Sequence, residues 1–172
     1  MKVLPLVLIA ALAVSGCAKR QFDADGSGGI TDQTFGAGAG GFVPGSADDP
    51  ASAAYFAQRV GDRVLFAVDQ STLTPEGRAT LDAQSSWLST NSGFTALIEG
   101  HADEQGTREY NLALGARRAN SARDYLITRG IDASRLRTIS YGKERPLEVC
   151  STEECYSKNR RAVTVLAAGA GV

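Results

Sequence analysis

Three polar side chains between residues 99 and 126 have the types and the spacing to hold a charged ligand. Asp103 follows a short apolar run and precedes a segment with helical periodicity. Asn111 and Arg118 are seven residues, or almost two full turns, apart in that segment, so they share a face of the predicted helix. A carboxylate can hold an ammonium group, and a guanidinium can hold a carboxylate through two parallel hydrogen bonds. The set therefore predicts a site for a zwitterion.

The surroundings of these side chains favour such a site. Gly115 lies on the same helical face, and we expect its small size to leave room for an approaching group. Backbone N–H groups at the helix start, near Gly106–Thr107, attract carboxylates. The free end of meso-diaminopimelate in Gram-negative peptidoglycan is a zwitterion of this kind. The alternative is an internal salt bridge between Asp103 and Arg118 that orders the loop.

His101 is the only histidine of the chain and invites a metal or general-base hypothesis. The acids around it alternate between the two faces of a strand, which makes a poor metal site. We therefore predict a structural or ligand-binding histidine and no cofactor. The sequence shows no Ser-His-Asp order and no Gly-rich nucleophile elbow. It predicts a binding protein and not an enzyme, with a wall-cleaving enzyme as the alternative.

Hydrophobic periodicity predicts the elements that position these residues. Thr74 is a suitable N-cap and Pro75 a suitable first helical residue, so a helix is expected to begin there. Strands are expected at 63–68, 94–99, 136–141 and 162–166, main helices at 74 to about 91 and at 107–128, and a short helical turn at 153–158. The order β-α-β-α-β-β predicts an α/β sandwich with one mixed sheet and two main helices on one face. The helical stripe expected to pack on the sheet is Leu112, Ala116, Ala119 and Leu126.

The N-terminus has the pattern of a bacterial lipoprotein signal. An apolar run at 3–14 is too short to span a membrane, and Cys17 follows it in a lipobox-like sequence. We predict a signal peptide at 1–16, a lipidated Cys17 in the outer membrane, and a flexible Gly-rich linker at 17–50. The domain is expected at 51–172, with its core at about 60–167, facing the periplasm. The alternative for the N-terminus is an ordinary secretory signal.

Net charge and cysteine content indicate which partners and which covalent bonds to expect. A formal net charge of −1 argues against nucleic acid as a partner. Cys150 and Cys155 form an even pair in an oxidising compartment and predict a disulfide, with two free thiols or half a zinc site as alternatives. Residues 23–34 partly match a calcium loop, although we interpret them as linker. The segment Asn159–Arg161 is interpreted as positioning loops beside the last strand, or alternatively as a basic patch.

The run IEGHADEQGTREYNLALGARRANSARDYL at residues 98–126 resembles the OmpA-like peptidoglycan-binding domain. The family pattern N-x-x-L-[SG]-x-x-R-A is similar to NLALGARRA at 111–119. Two further segments resemble the family, SYGKERP at 140–146 and YSKNRRAV at 156–163. The resemblance covers roughly residues 60–167 and implies the α/β sandwich expected from periodicity.

The resemblance also implies roles for individual residues. Asp103 matches the acid that holds the amine of diaminopimelate, and Arg118 matches its basic partner. Leu114 matches an apolar contact on the same face, and Asn111 matches the amide that helps to fix the loop. The segment Phe66–Asp69 matches the first loop, which closes over the stem peptide, although Phe-Ala-Val-Asp stands here where Phe-x-Phe-Asp is more usual.

The resemblance implies partners in the cell envelope. Gly115 and the segments GHADEQGT and YSKNRRAV are more similar to the lipoproteins of the family than to its outer-membrane barrels or flagellar stators. The implied partners are diaminopimelate-type peptidoglycan, TolB and other Tol-system proteins, with TolB competing for an overlapping surface. The implied role is to tether the outer membrane to the wall and to help it invaginate at division. The alternative is an envelope interaction protein whose main ligand is a TolB-like periplasmic protein.

Overall fold

The computed structural model describes residues 43–168. The predicted signal peptide, the lipidation site at Cys17 and the calcium-like stretch at 23–34 lie outside these residues. None of the helices between residues 43 and 168 has the length and apolar character needed to cross a membrane.

Within residues 43–168, four strands form one mixed sheet in the order β1-β4-β2-β3. Their bounds are Arg63–Leu65 (β1), Phe94–His101 (β2), Leu136–Gly142 (β3) and Arg161–Ala168 (β4). β4 runs antiparallel to β1 and to β2, whereas β2 and β3 are parallel. Because parallel strands end at the same edge of a sheet, the loops after His101 and Gly142 leave the sheet side by side.

The main helices are α2 (Pro75–Thr90) and α3 (Arg108–Thr128). The N-cap hydroxyl of Thr74 accepts a hydrogen bond from the Gly77 N–H at 3.0 Å, and that of Thr107 accepts one from the Tyr110 N–H at 3.2 Å. The shorter helices are α1 (Ala53–Tyr55), which continues as a π-helix over Phe56–Gly61, a 3₁₀ turn at Ala133–Arg135, and α4 (Glu153–Asn159). The predicted α/β sandwich is confirmed. The helical segment at 53–61 and the 3₁₀ turn at Ala133–Arg135 were not predicted.

The core lies between the sheet and its helices. Its fully buried members come from every layer and include Phe56, Leu81, Leu88, Ile98 and Leu126. Apolar burial of this kind is the main favourable term in folding, at about 25 cal/mol per Å² removed from water.

Trp87 ties the N-terminal part of the domain to the sheet. Its ring packs between those of Phe56 and Phe94, at centroid distances of 5.0 and 5.2 Å. Its indole Nε1–H donates to the carbonyl of Pro50 at 2.8 Å. Because Phe94 is the first residue of β2, the chain enters the domain at the edge of the sheet where β2 begins.

Two glycines let α3 lie directly on the backbone of β2. A Cβ atom on Gly100 would be 1.8 Å from the carbonyl oxygen of Gly115, and one on Gly115 would be 2.4 Å from Oγ of Ser140. The expectation that Gly115 leaves room for a ligand is therefore wrong, because the sheet occupies that space. The expected packing stripe is half wrong, since Ala119 and Leu126 are buried but Leu112 is 49% exposed.

Two smaller features complete the domain. β1 ends at Leu65, three residues before the expected end at 68, and the following loop includes Asp69 in a left-handed conformation with φ 57°. The predicted disulfide is confirmed: Cys150 and Cys155 are bonded, and Cys155 lies in α4.

Candidate ligand-binding site

A cavity of about 280 Å³ opens at the edge of the sheet where β2 ends. The loop after β1, the loop after β2 and the first turns of α3 form its walls. Its lining residues are Val68, Asp69, Asp103, Gln105, Gly106, Tyr110, Asn111 and Leu114. Four of the predicted site residues, Asp69, Asp103, Asn111 and Leu114, therefore meet at one cavity.

Arg118 and Phe66 are not among the lining residues. Arg118 is fully buried, and its guanidinium donates to the carbonyls of Gln70, His101 and Ala67 at 2.8, 2.9 and 3.2 Å. It also lies over the ring of Phe66, 5.3 Å from the centroid. Arg118 therefore joins the loop after β1 to the end of β2 and uses three of its five N–H donors to do so.

Arg118 remains a cation despite its burial. Loss of hydration lowers its pKa to about 10, an effect that Asp103 and Asp69 oppose and Arg160 reinforces. A guanidinium with that pKa is charged at neutral pH. The buried charge contributes positive potential beneath a cavity whose own lining is acidic.

Asp103 pairs with Arg160 and not with Arg118. Its Oδ2 accepts from Nη1 of Arg160 at 3.2 Å, and its Oδ1 accepts from the Gln105 N–H at 3.3 Å. Both partners of this ion pair are buried, Asp103 at 8% and Arg160 at 4% exposure. No ion pair joins Asp103 to Arg118 in the described domain, so the alternative of a structural salt bridge between them is wrong.

The loop after β2 is fixed by contacts from two directions. Nδ2 of the buried Asn111 donates to the carbonyl of Gln105 at 2.7 Å. From the other side, Nζ of Lys143 donates to the carbonyls of Gly106 and Glu104 at 2.7 and 3.3 Å. The loop therefore presents Asp103 to the cavity from a defined backbone.

A polar bridge spans the cavity between its two walls. The hydroxyl of Tyr110, on α3, donates to the carboxylate of Asp69, in the loop after β1. This hydrogen bond is the main cause of a raised pKa at Tyr110, whose ring is partly exposed. A ligand that binds Oδ1 of Asp69 must displace the Tyr110 hydroxyl, whereas Oδ2 takes no part in this hydrogen bond.

His101 is buried outside the cavity. It is 2% exposed, its ring lies 5.6 Å from that of Tyr141, and it does not line the cavity. Burial, and next the positive charges of Arg161 and Arg145, lower its pKa to about 4, so it is neutral at neutral pH. No group of three metal-binding side chains occurs between residues 43 and 168.

Sequence reasoning missed two site residues, Arg160 and Tyr110. The signal for Arg160 was the segment Asn159–Arg161, which we interpreted as positioning loops. That interpretation is confirmed: Oδ1 of Asn159 accepts from the Leu147 and Glu148 N–H groups at 2.8 and 3.0 Å, and Arg161 donates to the Arg145 carbonyl at 3.2 Å. Nothing in the sequence indicated that Asp103 would be the partner of Arg160.

Comparison with known proteins identifies the class to which this fold and cavity belong. The model of the OmpA family matches residues 65–160, so the chain belongs to the OmpA family. The peptidoglycan-associated lipoprotein of Rhizobium meliloti is 50% identical over 96% of this chain and 88% of that protein. The peptidoglycan-associated lipoprotein of Pseudomonas aeruginosa is 42% identical over 91% of this chain and 90% of that protein.

Solved structures agree with these relatives. The crystal structure of the peptidoglycan-associated lipoprotein from Burkholderia pseudomallei has a TM-score of 0.62 and 33% identity, and covers 69% of this chain and 97% of that chain. The C-terminal domain of Helicobacter pylori MotB, with a TM-score of 0.59, 19% identity and coverage of 63% and 86%, shows the same fold. The names of the curated relatives support a binding protein and not an enzyme.

Proposed function

We propose that this protein binds peptidoglycan non-covalently through the diaminopimelate of the stem peptide and tethers the outer membrane to the cell wall. The observation that carries the proposal is the match to peptidoglycan-associated lipoproteins along almost the whole chain, at up to 50% identity. The acid-lined cavity at the positions that the family resemblance implies gives the proposal a chemical basis.

The charges around the cavity suggest how a zwitterion would bind. Asp69 and Asp103 are the ionisable carboxylates of the lining, which includes no lysine or arginine within residues 43–168. The ammonium group of diaminopimelate would lie between them and replace the Tyr110 hydroxyl at Asp69. Its carboxylate would face the N-terminus of α3, with the buried charge of Arg118 below.

Leu114 and Asn111 would complete the site. Leu114 lines the cavity and offers an apolar contact to the methylene chain of the ligand. Asn111 acts on the ligand indirectly, because its amide holds the Gln105 carbonyl and with it the loop that includes Asp103. Phe66 has a similar supporting place beneath the guanidinium of Arg118.

The cellular role rests on the sequence pattern and the family. A lipid on Cys17 would hold the protein in the outer membrane with the domain in the periplasm. Residues 43–50 form hydrogen-bonded turns beside the domain. The 25 residues from 18 to 42 could reach at most about 85 Å if they were fully extended. TolB would compete for a surface that overlaps the cavity, and the Tol system would use this competition during invagination at division.

Calorimetric titration of the full-length protein in mild detergent tests the proposal. The ligands are a stem peptide with diaminopimelate and its lysine counterpart, which lacks the terminal carboxylate. We expect selective binding of the diaminopimelate peptide. Asp103→Asn should weaken it about 10- to 100-fold, because a hydrogen bond to a charged group contributes about 1.5–3 kcal/mol. Asp124→Asn, an exposed acid on α3, is the matched control.

Three outcomes separate the candidate functions. Equal affinity for both peptides, unchanged in Asp103→Asn, would refute the zwitterion site. Binding of purified TolB without binding of either peptide would favour an interaction protein whose main ligand is another protein. Release of soluble muropeptides from intact peptidoglycan would favour a wall-cleaving enzyme.

A further inference from the structure

We propose that the disulfide-closed segment Cys150–Cys155, together with helix α4, positions the carboxylate of Asp103 for its ligand. Affinity for diaminopimelate would then depend on the bond between the two cysteines, although neither cysteine lines the cavity. The proposal rests on the function proposed above and extends the site to residues to which the family resemblance gives no role.

Two consecutive ion pairs, Glu153–Arg160 and Arg160–Asp103, make the first connection between this segment and the site. Glu153, in the first turn of α4, forms an ion pair with Arg160 through both carboxylate oxygens. Nη1 of Arg160 also donates to Asp103 at 3.2 Å. One guanidinium is therefore divided between a carboxylate on the disulfide segment and the carboxylate of the site.

Because Glu153 and Asp103 share the guanidinium of Arg160, Glu153 affects how strongly Asp103 can attract an ammonium group. While Glu153 holds Arg160, part of the guanidinium charge is neutralised outside the cavity. Without Glu153, Asp103 would be the one carboxylate left to Arg160, whose Nε also donates to the Phe66 carbonyl at 3.2 Å, and the two terminal nitrogens could both bond Asp103. Asp103 would then have less negative charge and fewer free lone pairs to offer, so the ligand would bind more weakly.

A second connection holds the loop in which Asp103 lies. Oε1 of Glu104 accepts hydrogen bonds from Oγ of Ser151 at 2.9 Å and from the hydroxyl of Tyr156 at 3.0 Å. Ser151 is inside the six-residue ring closed by the disulfide, and Tyr156 follows its second cysteine. Adjacent residues of one site loop, Asp103 and Glu104, are thus both connected to the disulfide segment.

Helix α4 depends on the disulfide for its conformation. It has only seven residues, and its N-cap Thr152 makes no side-chain capping hydrogen bond. Isolated helices of this length are unstable in water. The bond to Cys150 fixes the first turn of α4, and Asn159 fixes the last turn through both its Oδ1 and its Nδ2. Loss of the disulfide would therefore release Glu153 and Ser151 from their places beside the site.

Titration of the full-length protein with the diaminopimelate peptide tests the first connection. We expect Glu153→Gln to weaken binding about tenfold, which corresponds to about 1.4 kcal/mol. Glu154→Gln is the matched control, because Glu154 is the next residue of α4 and its exposed carboxylate pairs with Lys158 at 3.5 Å instead of with Arg160. The carboxyl-carbon NMR resonance of Asp103 should shift in Glu153→Gln and not in Glu154→Gln, which a general loss of stability would not produce.

Two further variants test the second connection and the disulfide. The double variant Ser151→Ala/Tyr156→Phe removes both hydrogen bonds to Glu104, and Cys150→Ala/Cys155→Ala removes the bond between the cysteines. Both should bind the peptide at least about fivefold more weakly than the wild type while circular dichroism shows a folded domain. If the cysteine variant unfolds, the Glu153→Gln and Ser151→Ala/Tyr156→Phe variants decide the question.

The outcomes distinguish this proposal from the proposed function. If the wild type binds and Glu153→Gln and Ser151→Ala/Tyr156→Phe bind as tightly as Glu154→Gln, the positioning role is overturned and the peptidoglycan site stands. If the wild type binds neither peptide, the proposed function fails and this proposal fails with it. Weaker binding in Glu153→Gln and in the double variant, with Glu154→Gln unchanged, supports the positioning role.

Discussion

Replacement of Gly100 by alanine tests whether α3 is held on the sheet by backbone contact. A Cβ atom at this position would lie 1.8 Å from the carbonyl oxygen and 2.6 Å from the carbonyl carbon of Gly115. Real Cβ atoms essentially never come within 3.0 Å of another heavy atom, so one of the two backbones must move by more than 1 Å. Neither can yield through a side-chain rotation, because the contact atoms belong to the main chain.

The expected loss of stability is large for a single methyl group. Overpacking of a well-packed core costs about 1–3 kcal/mol and occasionally more. Since a strand or a helix must shift as a unit here, we expect at least about 3 kcal/mol. For a domain of this size, that corresponds to a decrease in unfolding temperature of roughly 10 °C. Separation of α3 from β2 would also stretch the hydrogen bond from Arg118 to the His101 carbonyl, so ligand affinity should decrease as well.

Urea unfolding of the wild type, Gly100→Ala and Gly93→Ala provides the measurement and its control. A Cβ atom on Gly93 would meet nothing within 4 Å, and its φ is not in the left-handed region. Gly93→Ala should therefore leave the free energy of unfolding within about 0.5 kcal/mol of the wild type or raise it slightly. A Gly100→Ala protein within about 1 kcal/mol of the wild type would refute the argument from backbone contact.

Three other outcomes are expected. Because the buried His101 has a pKa lowered to about 4, acidification protonates it first in the unfolded chain, and about 2 kcal/mol of stability should be lost between pH 7 and pH 5. His101→Asn should flatten that part of the stability profile measured by urea unfolding. Reduction of the disulfide between Cys150 and Cys155 should lower the free energy of unfolding by about 2 kcal/mol through the entropy of a short ring. Thr107→Ala should cost about 1 kcal/mol, because the hydroxyl caps α3 at the Tyr110 N–H.

Each of these three predictions would be contradicted by a specific result. If the free energy of unfolding varies in the same way between pH 7 and pH 5 with and without His101, the pKa of this histidine is not lowered in the folded protein. Equal urea midpoints with and without reductant, after mass spectrometry has verified reduction, would show that the ring does not constrain the unfolded chain. An unchanged unfolding free energy in Thr107→Ala would mean that water replaces the hydroxyl at the helix start.

Local sequence signals predicted most of the fold. Thr74 and Pro75 determine where α2 begins. Apolar runs bounded by turn residues predicted the bounds of β2, β3 and β4 to within two residues. β1 was predicted too long because apolar character continues to Val68, whereas the backbone leaves the sheet after Leu65 to form a wall of the cavity. Apolar residues in a site loop cannot be distinguished from a strand by pattern alone.

The sequence predicted the position of the site but not the ion-pair partner of Asp103. Asp103 and Asn111 line the cavity as expected, since loop and helix are adjacent in sequence. Arg118 shares their helical face, but periodicity does not show whether a guanidinium meets a ligand or backbone carbonyls. The pairing of Asp103 with Arg160 joins residues 57 positions apart, which only the sheet order brings together.

If the protein tethers the outer membrane to the wall as proposed, the entry of the chain beside Trp87 has a mechanical consequence. Pro50 is held near the start of β2, whereas the cavity opens where β2 ends, a distance of about 25 Å along its eight residues. Tension between a lipid anchor and a wall-bound ligand would therefore act along β2. Hydrogen bonds between the antiparallel strands β2 and β4 run across the strand direction, so such a load shears these pairings together instead of opening them one at a time. A connection loaded in this way resists extension with all its pairings between β2 and β4 at once.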